Sequence, residues 1–308
     1  MLKFGFFSLL ALTFAGASFA CDIRTEARAD GVADYLDNAQ ACLSDAPDEF
    51  RYSERMEQAF IRLINEERTS RGLNALVLRE DMRPAARFHS LDMGSNGFFG
   101  HVTPRGRNAS FRISAFDRTL LAASTAENVA KLEMNWECRD GGGAKISCAG
   151  IREAEGDLMA GAVQQLHDDL MVSPGHRDNI LAPNSTHIAL GVARTETGVY
   201  VTQLFAQPVG EFDNPVPPIL TAGSTVTTDV TLTNGFSFKR FALLEGGKVD
   251  DLMTGKVPNA IRGERELAVR GEDIDIYEDR GTLRRTMNIL YIPGPAVTIV
   301  EPDASTGS

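Results

Sequence analysis

The feature that most constrains the fold is a change of hydrophobic pattern along the chain. Up to residue 172, apolar residues recur at spacings of three and four, which is typical of amphipathic helices. The clearest segments are 54–72, 82–97 and 152–172. From about residue 219 the apolar residues alternate with polar ones, which is typical of half-buried strands. This order predicts an α+β part followed by a small all-β domain at 219–303, with a short tail at 304–308.

Two β-runs and a linker join these parts. Residues 187–208 hold β-runs on either side of Thr-Glu-Thr-Gly, which predicts a hairpin. The Pro-containing, polar stretch 209–218 has the composition of a linker. Asn234-Gly235, between alternating residues, predicts a second hairpin. Segment 125–135 is predicted to start a helix or a turn.

The first 20 residues predict a secretory signal peptide. One Lys precedes an apolar run that is too short to span a membrane, and small residues follow at Ser18 and Ala20. Cleavage after Ala20 would leave Cys21 at the N-terminus. We therefore expect a soluble protein that is secreted or periplasmic. The alternative is a lipoprotein with its anchor on Cys21, and only in that case do we expect a membrane partner.

The four cysteines predict up to two disulfides in an exported chain. Three connectivities are possible, and the pairing of nearest neighbours in sequence is Cys21–Cys42 with Cys138–Cys148. The first bridge would tie down residues 21–53 as a helical or irregular lead-in. A cysteine-based zinc site is not expected, because no CxxC spacing occurs.

The net charge of −11 also excludes some functions. An acidic chain is a poor partner for nucleic acid, and charge alone would not bring it to an anionic membrane. Neither a P-loop nor a GxGxxG stretch occurs, so no nucleotide site is predicted.

Two histidines stand out because of their surroundings. His101 lies in FFGHVTPRG and His176 in SPGHRDNIL, with Glu127 between them in AENVA. Two imidazoles and a carboxylate suit a divalent metal such as zinc, or a general acid–base pair. The alternative is that each ring only caps its loop through hydrogen bonds. We interpret His89 as a core histidine, His167 as part of a solvated helix face, and His187 as an exposed strand residue.

These stretches occur in a familiar order. LINEERTSRG, FFGHVTPRG, AENVA, SPGHRDNIL and VTQLFAQP together resemble the CAP superfamily, whose domain is also called the SCP domain. The family comprises cysteine-rich secretory, antigen 5 and pathogenesis-related proteins, and the likeness is to its secreted bacterial branch. The resemblance covers about residues 54–208. It implies an α-β-α sandwich with a cleft that holds two His and two Glu in many members.

Residue by residue, the resemblance assigns the two cleft histidines to His101 and His176, and one cleft glutamate to Glu127. The second glutamate of the family lies three residues after a Trp, and these places here read Leu170 and Ser173. The implied metal site is therefore a triad with water or Ser173 in the fourth position, and we expect weak zinc binding. Asn65 and Arg68 match the Asn-x-x-Arg stretch of the family and are interpreted as structural.

Three functions follow from these observations. The first is a non-enzymatic secreted module that binds a small apolar ligand, such as a lipid or sterol, or a partner protein. The second is a metal-dependent hydrolase or peptidase that uses His101, Glu127 and His176. The third is a structural or adhesion protein of the cell envelope. The missing second glutamate favours the first.

Overall fold

The computed structural model of the protein describes residues 21, 31–44, 51–133, 155–194, 198–233 and 235–302. The predicted signal peptide at 1–20, the tail at 304–308 and both cysteines of the Cys138–Cys148 pair lie outside these residues. Within the described part, none of the helices has both the length and the apolar character needed to cross a membrane.

The described residues form six α-helices, and all of them end by residue 180. They are α1 (Val32–Ser44), α2 (Glu54–Ser70), α3 (Arg83–Asn96), α4 (Ala109–Phe116), α5 (Glu155–Val172) and α6 (Pro174–Ile180). Helices α2, α3 and α5 confirm the three predicted helices. The side chain of Ser53 caps α2 by accepting a hydrogen bond from the backbone N–H of Met56, at 3.4 Å.

Twelve strands in the described residues form two sheets. The first contains β1 (Arg51–Tyr52), β2 (Val77–Leu78), β3 (Leu120–Glu133), β4 (His187–Arg194), β5 (Gly198–Phe212) and β7 (Val230–Leu232). Its order is β1-β4-β5-β3, with β2 also on β4 and β7 also on β5. The second contains β6 (Ile219–Thr221), β8 (Ser237–Glu245), β9 (Lys248–Met253), β10 (Gly263–Asp279), β11 (Thr282–Ile292) and β12 (Ala296–Val300). Its order is β6-β12-β10-β8-β9, with β11 also on β10.

Helices cover both faces of the first sheet. Successive side chains of a strand point in opposite directions, so neighbouring residues of one strand contact different helices. On β4, Ile188 and Leu190 join α2 and α5 in one apolar cluster. Ala189, between them, joins α3 and α4 in another cluster. The first sheet is therefore the middle layer of an α-β-α sandwich. Together with the second sheet, this confirms the predicted fold class.

The second sheet shares its core with the first. Val209 and Phe212, at the end of β5, are buried in the same cluster as Leu267 and Val297 of β10 and β12. Strand β5 thus continues through the first four residues of the stretch 209–218 that was predicted as a linker. These two apolar side chains extend the strand because the second sheet offers them a buried surface.

Arg118 fastens the second sheet to the first part of the chain. Its guanidinium donates hydrogen bonds to the backbone oxygens of Val216, Pro217 and Ala296, at 2.8, 3.1 and 2.7 Å. It also donates to the carbonyl oxygen of Ser114 in α4, at 3.0 Å. One side chain therefore pairs carbonyl groups from both sides of the junction.

The lead-in also lies at this junction. The predicted Cys21–Cys42 disulfide is confirmed, and it ties the N-terminal end of the described chain to α1. The ring of Tyr35 in α1 packs edge-on against Phe88 of α3, with ring centroids 5.6 Å apart. The backbone N–H of Val32 donates to the hydroxyl of Thr298 in β12, at 2.8 Å. Helix α1 therefore contacts both the first part of the chain and the second sheet.

Two sequence predictions about local structure are wrong. Segment 125–135, predicted to start a helix or turn, lies mostly in strand β3. Its Ala, Glu and Lys residues favour helix, but continuous pairing with β5 from Leu120 to Glu133 outweighs this weak local preference. Residue 234 of the hairpin expected at Asn234-Gly235 lies outside the described residues, but the strands on either side of it do not pair with each other as a hairpin requires. Strand β7 pairs with β5 in the first sheet, whereas β8 pairs with β9 and β10 in the second.

Candidate functional site

Strand β3 directs two neighbouring polar side chains to opposite faces of the first sheet. The carboxylate of Glu127 contacts residues of α4 and of the loop before it. The amide of Asn128 donates to the backbone oxygen of His176 in α6, at 3.0 Å. The edge strand thus joins the segments that carry the two predicted histidines.

Arg112 is the main partner of Glu127. It donates a hydrogen bond from Nη2 to Oε2 of Glu127, and both side chains are buried. The same guanidinium donates to the carbonyl oxygens of Arg107 and His101, at 2.9 and 3.2 Å. Sequence reasoning missed Arg112. The available signal was a charged residue between Phe111 and Ile113 in a short apolar helix, since a buried charge requires a partner.

His101 forms the other bond to this carboxylate. Its Nδ1 donates to Oε1 of Glu127, at 2.9 Å, while 53% of the His101 side chain is exposed. The hydrogen bond to Glu127 raises the pKa of His101 above its usual value. For Glu127, burial alone would raise the pKa, but the bond from His101 and the charge of Arg112 outweigh burial and lower it. Glu127 is therefore a charged carboxylate with protein partners on both oxygens.

His89 lies behind this pair. Its Nε2 donates to the carbonyl oxygen of Gly100, at 2.9 Å, and is 4.0 Å from Oε2 of Glu127. The pKa of His89 is lowered to about 3, mainly by burial and also by the charge of Arg112, against the opposing effect of Glu127. The ring is neutral and holds the residue next to His101 in place. It is a core histidine, as predicted, and its contact with the site was missed.

Helix α6 presents His176 from the other side. Ser173 precedes the helix, and Pro174 occupies its first turn, where the missing N–H costs nothing. Asn179 donates to the carbonyl oxygen of Glu127, at 3.2 Å, and to Oδ1 of Asn128, at 2.9 Å. Partial burial lowers the pKa of His176, and the charge of His101 adds to this effect. His101 and Glu127 are thus in direct contact, whereas His176 is close enough to His101 to be affected by its charge but is joined to β3 through Asn128.

The contacts of Glu127 can be compared with the predicted metal site. Among the described residues, no three side chains of His, Cys, Asp or Glu are arranged so that they could hold a metal ion. A divalent cation on Glu127 would have to displace His101 or Arg112, and the guanidinium would repel it. Ser173 has no side-chain bond as the cap of α6, and Leu170 is buried in the core under α5. In this arrangement the residues do not fit a bound metal, which argues against the weak zinc binding that the sequence suggested.

The two residues interpreted as structural have that role. The side-chain amide of Asn65 exchanges two hydrogen bonds with the backbone of Leu76, at 2.8 and 3.1 Å. Arg68 is buried and donates to four backbone oxygens, which belong to Asn74, Ile180, Ala182 and Ser185. It thereby secures the segment that follows α6.

The interpretation of His167 is wrong. Only 2% of this residue is exposed, and neither ring nitrogen has a hydrogen-bond partner within the described part of the chain. Helical spacing explains the burial, because positions 163, 166, 167 and 170 lie on one face of α5 and all four are buried. Burial lowers the pKa of His167. His187 is half-buried, and its Nδ1 is 2.9 Å from the hydroxyl of Thr186.

The comparisons with known proteins concern the domain that carries this site. The family model described as "Cysteine-rich secretory protein family" (CAP) matches residues 61–205. The Bacillus subtilis (strain 168) protein YkwD, described as uncharacterized, is 31% identical over 149 residues. That alignment covers 48% of this chain and 46% of YkwD, so the chain spans about half the length of this relative.

Two solved structures also align with about half of the chain. An outer surface protein from Borrelia burgdorferi aligns with a TM-score of 0.38 and 16% identity, over 51% of this chain and 98% of that one. An extracellular protein containing an SCP domain, from Bacillus anthracis str. Ames, aligns with a TM-score of 0.36 and 20% identity, over 50% of this chain and 40% of that one.

The family model and the curated relative identify the class of domain to which the α-β-α sandwich belongs. Residues 61–205 form a domain of the CAP superfamily. A β-rich C-terminal part, packed on that domain through a common core, completes the described chain.

Proposed function

We propose that this chain is an exported CAP-domain protein that binds a ligand in the cleft at His101, Glu127 and His176 and catalyses no reaction there. The observation that supports this is that the carboxylate of Glu127 already has partners within the protein. Both of its oxygens are bonded within the protein, and its pKa is lowered. A general base needs a free oxygen and a pKa near the working pH, so Glu127 is poorly suited to activate water.

The surroundings of His101 favour a ligand with an apolar body and one polar group. Phe99 and Val102 flank His101 in the loop, and both are largely exposed. The Nε2 of His101 would bind a polar or anionic group, while these apolar side chains would cover the remainder. A fatty acid is a simple ligand of this kind.

Two observations support export. Disulfides such as Cys21–Cys42 persist in oxidising compartments outside the cytosol. The two aligned solved proteins are described as an outer surface protein and an extracellular protein. The disulfide also uses the sulfur of Cys21, which a lipoprotein would need for its anchor. The intact mass of the exported protein tests this. A lipid on Cys21, such as a diacylglycerol group, would add a mass on the order of several hundred daltons.

Two titrations test the binding proposal. We expect calorimetry with zinc to show no heat of specific binding in the wild type, with the same result for a His101→Ala/His176→Ala double variant. One equivalent of zinc that the double variant fails to bind would contradict the metal-free site and make a metal-dependent hydrolase the better interpretation.

The second titration uses a fluorescent fatty acid. Val102→Glu should weaken its binding at least tenfold, since a charge would replace apolar surface beside His101. Val77→Glu is the matched control, because Val77 is also largely exposed but lies on β2. Equal affinity of both variants and the wild type would contradict an apolar ligand at this cleft.

A further inference from the structure

Strands β10 and β11 extend beyond the second sheet as a two-stranded ribbon. The last residue of β10 that pairs with β8 is Glu272, opposite Ser237. From Asp273 to Asp279, β10 pairs only with β11 among the described strands. Arg280 and Gly281 close the ribbon, both with positive φ, which is the geometry of a tight hairpin turn.

One face of the ribbon carries exposed aliphatic side chains together with a few charged ones. The register places Ile274 opposite Met287, Glu278 opposite Leu283, and Glu272 opposite Ile289. Side chains that are directly opposite, or two residues apart, share a face. We call this surface the ribbon face. It contains Ile274, Ile276, Leu283, Met287 and Ile289, which are between 40% and 76% exposed.

The other side of the ribbon has a different composition. Asp273, Arg284, Thr286 and Asn288 share that side, together with one aromatic residue, Tyr277. A ribbon surrounded only by water would have no reason to collect its aliphatic residues on one side. A two-stranded ribbon is also marginally stable by itself. This difference in composition between the two sides therefore indicates that the ribbon face is covered in the functional protein.

We propose that the ribbon face is a self-association surface, on which a second copy of this chain packs with the same face. The five side chains together expose on the order of 500 Å² of apolar surface, which is within the size range of the largest surface patches of monomers, and such patches are often functional. Two copies facing each other would bury about 1,000 Å², which is the lower limit for a specific interface.

The charges of the ribbon face also suit a second copy. Glu278 and Arg285 lie on this face near the tip and have opposite signs. A two-fold axis brings the same face of two copies together, so each copy offers both an acid and a base to its partner. The net charge of the chain, −11, opposes the approach of an anionic lipid surface instead.

Sedimentation velocity on the full exported protein tests this proposal. We expect a dimer at about 100 µM that dissociates on dilution, as suits an interface near the lower size limit. Leu283→Lys should raise the dissociation constant at least tenfold, because it places two charges in the interface. Thr286→Lys is the matched control, since it adds the same charge to the other side of the same strand. Far-ultraviolet circular dichroism should be the same for both variants.

Three outcomes would overturn the proposal. The first is a wild type that stays monomeric at about 100 µM, and the second is a dimer that Leu283→Lys weakens no more than Thr286→Lys does. The third is a monomeric wild type that floats with phosphatidylglycerol vesicles while Leu283→Lys does not, since this would assign the ribbon face to lipid. A Met287→Cys variant that forms an intermolecular disulfide on oxidation, where Thr286→Cys forms none, would support the two-fold interface.

Discussion

Arg112 and Glu127 form an ion pair from which the surrounding protein excludes water. The guanidinium comes from α4 and the carboxylate from the edge strand β3, so the pair joins two layers of the sandwich. His101 covers the exposed side of the carboxylate. The charge that this site presents to solvent therefore belongs mainly to His101, and it depends on the protonation of that ring.

Replacing Arg112 by Met should destabilise the protein severely. The change leaves Glu127 buried with one partner fewer, and it also leaves the carbonyl oxygen of Arg107 without its donor. Breaking a buried pair from one side costs about 3–5 kcal/mol, because an uncompensated charge remains. Urea unfolding of Arg112→Met against the wild type measures this difference.

A double-mutant cycle separates the ion pair from other effects of this substitution. Arg112→Met combined with Glu127→Gln should lose less stability than the sum of the two single variants, because the second change removes the stranded charge. Arg71→Ala is a surface control, since Arg71 forms an exposed pair with Glu67 one turn away on α2. That change should cost about 0.5 kcal/mol or less. Additive losses in the cycle would show that the two residues are not coupled.

The site shows how far the sequence alone leads. Motif order predicts that His101 and Glu127 lie together, because that order belongs to a family with a common fold. Arg112 and His89 belong to the same cluster but lie on separate helices. Only the packing of α3 and α4 against β3 makes them neighbours, and hydrophobic periodicity contains no information about such contacts.

The strands show the same limit. Local composition predicted a helix or turn at 125–135 and a hairpin at Asn234-Gly235. In both places pairing with distant strands decided the structure. The preferences of Ala, Glu and Lys for helix amount to roughly tenths of a kcal/mol per residue. The stabilisation of a strand that is paired along its whole length outweighs them.

The stability of the protein should fall when the pH is lowered from 7 to 5, partly because of His167. Its pKa is lowered in the folded state by burial. Below the usual pKa of His, the unfolded chain therefore binds a proton that the folded protein excludes. Each such group can add up to about 1.4 kcal/mol per pH unit to the slope of stability against pH. His89, with a pKa of about 3, acts in the same direction.

His167→Leu is the variant that isolates this effect. It should lose less stability than the wild type between pH 7 and 5, as measured by urea unfolding at both values. His101 acts in the opposite direction, because its raised pKa stabilises the fold at low pH and this contribution is lost as the pH rises through the folded pKa. An equal loss of stability in His167→Leu and wild type would show that the ring of His167 is not excluded from water in solution.

Arg118→Ala should weaken the attachment of the second sheet. It removes the donor for the carbonyl oxygens of Val216, Pro217 and Ala296 at the junction. Each buried oxygen left without a partner costs about 1–3 kcal/mol when water cannot reach it. We expect a loss of about 2–4 kcal/mol on this basis, since some of the oxygens will gain water.

Limited proteolysis locates the effect of Arg118→Ala. Cleavage should become faster between Phe212 and Ile219, where the chain passes from one sheet to the other. Arg284→Ala on the exposed part of β11 is the control, and it should change stability by about 0.5 kcal/mol or less. Unchanged cleavage in Arg118→Ala would mean that the common apolar core holds the two sheets together without this side chain.

Gly191→Ala should be the most damaging of the Gly→Ala changes at the described glycines of the CAP domain. Gly191 lies on β4, where helix α3 passes directly over the strand, and a Cβ atom there would be 2.2 Å from the backbone of Ala86 and Arg87. Backbone atoms cannot rotate away as a side chain can, so α3 would have to shift. Overpacking of a core typically costs about 1–3 kcal/mol, and we expect a value at or above the upper limit.

The matched control is Gly161→Ala on α5. A Cβ at Gly161 would meet nothing within 4 Å, and the residue is exposed inside the helix. Replacing an exposed helical Gly by Ala should stabilise the protein by about 0.5–1 kcal/mol. The same substitution is thus expected to have opposite signs at the two positions, and urea unfolding of both variants measures this directly. If Gly191→Ala were as stable as the wild type, α3 would not pack closely on β4. Helix α3 carries His89, which lies behind His101 and Glu127. That result would therefore also mean that α3 does not hold these two residues in place.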